Sequence, residues 1–381
     1  MANQRTSVKT LDGLPIAAIP TGTVIGDKFF TSSITGVNAA TGRPGDSPQR
    51  QFALAFQNLD HLMRRIGGSL DNVGLLTAFV KNHEQREFLE ATWQQVFPDA
   101  GNCPARKVTV VDLPEAVLVQ IQAFGVLGER RKNISIPGIQ HRNPQLPLVI
   151  RLGDMVYSSV IGGQNPETGV NCQGATAQMA QTLANMDALM ETAGGSLGDI
   201  VHSWVYLREY DHWDISFADW VKAFPGKNNL PARKTITPRT ATYDLLGDTE
   251  LQVQFIADLG GGRENFEVEG LIAHRDPVPL GAKVGKMFYS SGIPGTPGEG
   301  MDEQAELAFH NMQRLIDTAG GSIDNISNIT ILTTEFGYET ALEKVWKKMF
   351  PDPICSPACH VMKWGTSGNT MFQVHFTAVF P

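Results

Sequence analysis

Gly67-Gly68-Ser69-Leu70 recurs as Gly194-Gly195-Ser196-Leu197 and again as Gly320-Gly321-Ser322-Ile323, at steps of 127 and 126 residues. Trp93, Trp220 and Trp346 keep those steps, as do Asn58, Asn185 and Asn311, and the pairs Phe97-Pro98, Phe224-Pro225 and Phe350-Pro351. Pro104-Ala105-Arg106 returns as Pro231-Ala232-Arg233 and then as Pro357-Ala358-Cys359. A period this long exceeds the ~20–50-residue units of solenoids, so a whole domain has been triplicated. The Gly-containing linkers Gly128–Lys132 and Gly260–Arg263 divide the chain into 1–130, 131–262 and 263–381. Both are short, so the copies are expected to pack tightly.

Within the first copy, Thr23–Ser33 is rich in β-branched and aromatic residues and runs into a Gly/Pro loop, the pattern of a strand pair. Phe52, Phe56, Leu59, Leu62, Met63 and Ile66 fall at helical spacing, and Gly67-Gly68 ends that helix. Val73–Val80 reads as a buried strand and Gln85–Val96 as a second helix stopped by Pro98. Lys107–Val111 and Leu118–Phe124, around Leu113-Pro114, read as a hairpin. The order β-β-α-β-α-β-β gives an α+β domain with helices on one face of a mixed sheet. Something must cover the other face. Threefold packing does so, giving an intramolecular pseudo-trimer whose sheets line a central barrel.

The chain has 381 residues, 18% of them charged, and a net charge of −8. It has no cluster of Lys and Arg for a nucleic-acid surface and no apolar run of the ~20 residues that span a bilayer. The polar N-terminus lacks a signal-peptide core, and four cysteines fit a reducing compartment, so the expectation is a cytoplasmic protein that binds neither nucleic acid nor membrane.

Ser32-Ser33 after a β-run, Asn58 in the first helix, Gly-Gly-Ser behind it, Phe97-Pro98, and Pro104-Ala105-Arg106 followed by Leu-Pro together resemble the RidA/YjgF family, and the likeness extends over all three copies. The resemblance implies a chorismate-mutase-like fold, trimers with clefts between neighbours, hydrolysis of reactive enamines and imines with release of ammonia, and no cofactor. It implies that the Arg after Pro-Ala binds the substrate carboxylate and that a last-strand Glu assists water. Copy one has Arg106 with Gln120 in the place of the Glu. Copy two has Arg233 with Gln254, and copy three has Cys359 and His375 at the two positions.

The residues themselves leave alternatives open. Arg106 and Arg233 suit bidentate carboxylate recognition, or else ion-pair between domains. Gln120 and Gln254 can hold a water or carbonyl but cannot act as a general base at neutral pH. Cys359 and His375 are a nucleophile and its activator if they come within hydrogen-bond reach, and packing residues of a degenerate copy if they do not. Cys359 and His360 alternate along a strand, which argues against a metal site built from Cys355, Cys359, His360 and His375. His141 and His274, in the repeated His-Arg-Asn/Asp-Pro segments, either reach a neighbouring cleft or close a turn. Ser33, Ser159 and Ser291 either line the clefts or mark polar strand exits.

Two functions follow from different classes. One is a cofactor-free hydrolase of a C–N bond in a small carboxylate-bearing metabolite. The other is a non-catalytic small-acid binding protein with degenerate sites. Fusion into one chain lets the three clefts diverge, and whether pseudo-trimers pair further stays open.

Overall fold

The computed structural model describes residues 5–11, 14–224, 226, 229–237, 245, 247–271, 274, 278–295, 300–365 and 370–381. Copy one comprises β1 (Thr6–Val8), β2 (Gly22–Ile25), β3 (Lys28–Thr31), β4 (Ile34–Thr35), α1 (Pro48–Arg65), β5 (Val73–Val80), α2 (Arg86–Val96), β6 (Ala105–Val110) and β7 (Val119–Val126). Copy two repeats this with β8 (Lys132–Ile134), β9 (Val149–Leu152), β10 (Met155–Ser158), β11 (Ile161–Gly162), α3 (Gly174–Ala193), β12 (Ile200–Leu207), α4 (His212–Ala223), β13 (Ala232–Ile236) and β14 (Leu251–Asp258). Copy three has β15 (Glu264–Phe266), β16 (Gly281–Val284), β17 (Met287–Ser290), β18 (Ile293–Pro294), α5 (Met301–Thr318), β19 (Ile326–Thr333), α6 (Glu339–Met349), β20 (Ala358–Lys363) and β21 (Phe372–Val379).

The repeated landmarks have local causes. Ser47 caps α1 by accepting from the Arg50 amide, with Pro48 in the first turn, and Phe52, Phe56, Leu59 and Leu62 form the buried face. Past the helix, Gly67 takes φ 79°, a left-handed conformation that glycine adopts without strain. Ser69 then makes a reciprocal cap with Asn72, as Ser196 does with Asp199 and Ser322 with Asn325. Asn58 Nδ2 donates to Thr35 O (3.0 Å) and Val37 O (2.9 Å), and Asn185 Nδ2 to Gly162 O and Gln164 O (both 2.9 Å), tying helix to loop. Trp93, Trp220 and Trp346 are fully buried behind their sheets.

Each copy forms a seven-stranded mixed sheet; in the first the order is β1-β2-β3-β7-β5-β6, with β4 beside β7. The expected hairpin of the last two strands does not form. β5 lies between β6 and β7, parallel to β6 and antiparallel to β7, and a parallel neighbour needs the α2 crossover that precedes it. Nor do the sheets close into one hydrogen-bonded barrel. They remain three separate sheets among the described residues, meeting through side chains. Leu75, Phe124, Ile150, Tyr157, Ile256, Val284, Met287 and Val379 are among the residues of one apolar cluster drawn from all three copies. The copies approach so closely that a Cβ on Gly74 would lie 2.4 Å from the Tyr157 ring.

The three copies close into a ring. Ile16 and Ile19 of copy one pack into the helix-side core of copy three, and Leu146 of copy two into that of copy one. Burying a side chain such as Ile19 contributes about 1.5–3 kcal/mol. Three arginines, Arg5 and Arg131 buried and Arg263 half-buried, repeat the pattern. Arg5 donates to Ile323 O (2.7 Å), Ile326 O (2.6 Å) and Cys355 O (2.5 Å). Arg131 donates to Leu70 O (2.7 Å), Val73 O (2.8 Å) and Asn102 O (2.6 Å). Arg263 donates to Asn229 O (2.8 Å) and Leu197 O. Each guanidinium lies over the repeated Phe, at 5.4 Å from Phe350, 5.8 Å from Phe97 and 5.0 Å from Phe224. Each arginine thus begins one copy and satisfies carbonyls of the copy before it. Removing one strands several buried acceptors, so Arg5→Ala is expected to cost about 3 kcal/mol. Thermal unfolding beside the exposed-site control Arg130→Ala checks this, and equal stability of the two variants would show that Arg5 holds nothing.

Candidate functional site

At each junction the residue after Pro-Ala is fixed by a serine of the next copy. The Arg106 amide donates to Ser159 Oγ (3.0 Å), the Arg233 amide to Ser291 Oγ (3.0 Å), and the Cys359 amide to Ser32 Oγ (2.8 Å). The hydroxyls of Ser32 and Ser159 donate in turn to Pro20 O (2.6 Å) and Pro147 O (2.7 Å), so they are used to hold the junction. The counterpart in copy one is Ser32, not Ser33. β3 ends in Thr31, whose hydroxyl accepts the Ala123 amide (2.9 Å), as Ser158 accepts Phe255 (2.7 Å) and Ser290 accepts Phe376 (2.8 Å). The Ser-Ser pair of copy one is therefore displaced by one residue.

Between copies one and two lies a cleft of about 440 Å³, lined by Arg86, Glu90, Arg106 and Lys107 on one side and His141 and Gln252 on the other, among other residues. Arg106 is 4% exposed, its guanidinium 4.5 Å over the Trp93 ring. Its Nη2 is paired with Glu90 of the same copy, while Nε and Nη1 have no partner among the described residues. Burial lowers the Arg106 pKa and the Glu90 charge pulls it back. The second Glu90 oxygen accepts Asn143 Nδ2 of copy two at 3.1 Å. Among the described residues Glu90 and Asp248 are the carboxylates of this lining, and Asp248 already accepts Asn171 Nδ2 (2.8 Å). His141 Nδ1 lies 3.0 Å from Asn143 N and 3.2 Å from Asn143 O, which fixes the ring. Burial, opposed by the Asn143 backbone and reinforced by Arg106, Lys107 and Arg142, drives its pKa down to about 4, so it is neutral at pH 7.

The second junction differs. Arg233 is 3% exposed and stacks 4.0 Å from Phe217 and 4.8 Å from Trp220. Its Nη2 donates to Ser216 Oγ (2.8 Å) and its Nε to Thr235 Oγ1 (3.1 Å). Phe217, three residues before the repeated Trp, occupies the helix position of Glu90. His274 is half-buried and acts electrostatically on His375. Arg275, Asp276 and Pro277 of its motif lie outside the described residues.

The third junction does not make a Cys–His pair. Cys359 is fully buried in the helix-side core of copy three, and burial pushes its thiol pKa up. His375 lies on the opposite face of the sheet, where the three sheets meet, and burial holds its pKa well below 6.5. The physical reason is the strand order. β19 separates β20 from β21, with Ile329 level with Cys359 and Thr330 level with His375, and consecutive strand residues face opposite ways. Cys359→Ala is therefore expected to leave any turnover unchanged, and the wild-type thiol to resist iodoacetamide longer than the half-buried Cys172. Rapid alkylation of Cys359, or loss of turnover in the variant, would count against this placement.

The last-strand residues also fall into two rows rather than one. Gln122, Gln254 and His375 pair with Thr77, Trp204 and Thr330 of the neighbouring strand, and all three line the central cavity. Gln120, Gln252 and Gln373 pair with Phe79, Tyr206 and Leu332. Gln120 is thus the counterpart of Gln252, not of Gln254, and its Oε1 lies 3.3 Å from His360 Nε2 of copy three. The connection before β14 is longer than those before β7 and β21, which hides this register. Sequence reasoning missed Glu90 and the three clasp arginines. Comparing the copies both three residues before the repeated Trp (Glu90, Phe217, Glu343) and after Pro-Ala (Arg106, Arg233, Cys359) would have singled out copy one as the copy with Glu and Arg together.

A family model described as endoribonuclease L-PSP matches residues 15–127 and 142–247. The chain belongs to that family, the family of RidA and YjgF. Membership places its function in the RidA class. Relatives in the family include the 2-iminobutanoate/2-iminopropanoate deaminase of Salmonella typhimurium, 29% identical over 109 residues, 28% of this chain and 82% of that protein. A RutC family protein of Haemophilus influenzae is 32% identical over 110 residues, again 28% of this chain and 82% of its own length. Among solved structures, RidA from the Antarctic bacterium Psychrobacter sp. PAMC 21119 aligns with 33% of this chain and 98% of its own at 24% identity, with a TM-score of 0.31. In this RidA-family chain no described helix is long and apolar enough to cross a membrane.

Proposed function

We infer that this protein hydrolyses the C=N bond of a small 2-imino acid, or of its enamine tautomer, in the cleft between copies one and two. The observation that carries this reading is Arg106. It is a buried cation with two N–H donors unpartnered, at the wall of a roomy cleft, and unsatisfied buried donors call for a ligand. The naming of family relatives as imine deaminases supports the reaction class.

In this reading Arg106 holds the substrate carboxylate, and Lys107 and Arg86 add positive potential at the same wall. Water adds to the imine carbon, ammonia departs, and the product is the 2-oxo acid. The carbon keeps its oxidation state, so no redox cofactor is required. Glu90 is the group for the proton. It accepts a proton from the attacking water and passes it to the imine nitrogen, then takes the proton of the carbinolamine hydroxyl and passes it to the departing nitrogen, a role Gln252 cannot fill. Glu90→Gln keeps the hydrogen-bonding shape and removes the base, so kcat is expected to fall about 100-fold with KM changed little. Ammonia release from 2-iminobutanoate generated in situ measures it. A Glu90→Gln variant with full kcat assigns the proton elsewhere.

The placement of Gln252, rather than a carboxylate, on the last-strand wall favours the second reading, a binding protein for small acids. The same assay separates the two. Absence of ammonia release above background, with carboxylate binding retained and dependent on Arg106, establishes the binding protein.

A further inference from the structure

Where the three sheets meet lies a second cavity of about 90 Å³, lined by residues of all three copies and separate from the Arg106 cleft. That is room for a few waters or one small ion. Its lining includes Lys234, His202, His360 and His375 and no Asp or Glu among the described residues. Lys234 Nζ donates to Gln373 Oε1 at 2.9 Å, and that oxygen also lies 3.4 Å from His375 Nε2. An ammonium carries three donors, and here a neutral amide takes one of them. His202 stands on the strand beside Lys234, its ring 4.2 Å from Trp204 and 5.3 Å from Tyr289. His202 is 3% exposed and His360 0% exposed, and the Nδ1 atoms of both have no partner among the described residues. Burial lowers the Lys234 pKa to about 8 with no contribution from an acidic group among the described residues, so at pH 7 the cation persists with no described carboxylate to balance it. Lys234 is half-buried, and a charge partly withdrawn from water is costly unless it is paired.

We propose that the central cavity binds one small monoanion, of chloride or nitrate size, against the Lys234 ammonium and the His202 imidazole. The anion supplies the negative charge that the described lining of the three sheets lacks at their meeting point. The site owes nothing to the Arg106 cleft, so it stands or falls independently of the hydrolase reading.

The test uses the full chain at pH 7 and constant ionic strength, exchanging sodium gluconate for sodium chloride, bromide or nitrate. At roughly a hundredfold excess over Kd, the small anions are expected to raise the wild-type Tm by about 3 °C over gluconate. Lys234→Gln is expected to lose that anion-specific rise. Bromide diffraction on wild-type crystals is expected to show an anomalous peak within hydrogen-bond reach of Lys234 Nζ. The same anion response in Lys234→Gln overturns the proposal. Should that variant fail to fold, a bromide data set with no peak in the cavity overturns it instead.

Discussion

Arg106→Ala is expected to reduce kcat/KM for imine hydrolysis about 100-fold or more, while Arg233→Ala stays within about threefold of wild type. The two arginines share a motif, a strand position and a serine clamp, so sequence likeness alone gives them equal weight. Their surroundings separate them. Arg106 is paired with a partly exposed carboxylate at the cleft wall and has Nε and Nη1 unpartnered. Arg233 is held by the hydroxyls of Ser216 and Thr235 and sandwiched against Phe217 and Trp220. A carboxylate arriving at Arg106 meets donors already desolvated. At Arg233 it has to displace hydroxyls and open an aromatic stack. Losing a buried charged contact of the first kind costs about 2–5 kcal/mol in binding, which sets the expected loss. Steady-state ammonia release from both variants decides the matter, and equal losses would show that the two junctions work alike.

Acidification is expected to destabilise the fold steeply between pH 6.5 and about 3. His202 and His360 are buried as neutral rings, with pKa values lowered by burial to about 3. In the unfolded chain each titrates near its ordinary value of ~6.5. Below pH 6.5 the unfolded state therefore binds protons that the folded state refuses, and stability falls as pH falls until the folded groups titrate too. Each unmatched proton contributes about 1.4 kcal/mol per pH unit, so these two rings together contribute on the order of 2–3 kcal/mol per unit below pH ~6. His375 and His141 have the same sign. Carboxylates add their own acid dependence, so the measurement is the difference in slope. Urea unfolding at pH 7, 6 and 5 is expected to be much flatter for the His202→Gln, His360→Gln double variant. Parallel pH profiles for the two proteins would place the acid sensitivity in other groups.

The sequence made some of this legible and hid the rest for identifiable reasons. Repeated Gly-Gly-Ser, Phe-Pro and Trp report local geometry, such as a left-handed turn, a reciprocal cap or a buried ring, so the three copies could be read from spacing. Arg106 was visible because Pro-Ala-Arg is itself local. The Cys359–His375 pairing failed because facing depends on which strand lies between them, and β19 enters from far upstream, with Ile329 beside Cys359 and Thr330 beside His375. Gln120 was matched to Gln254 because the loops before the last strands differ in length, and a slip of two residues keeps the same face and leaves no trace in the hydrophobic pattern. Ser33 was chosen over Ser32 because Thr31 replaces a serine in copy one. Glu90 was passed over because a charged residue on an amphipathic helix has the signature of a solvated face. Arg5, Arg131 and Arg263 were passed over because their partners are backbone carbonyls of another copy.

The central claim is a closed ring of three copies in which the first junction alone presents a competent carboxylate site. Calorimetric titration with 2-oxobutanoate, the product acid, tests it most directly. One equivalent is expected to bind per chain, abolished by Arg106→Ala and retained in Arg233→Ala. Two or three equivalents, or binding that survives Arg106→Ala, would contradict it.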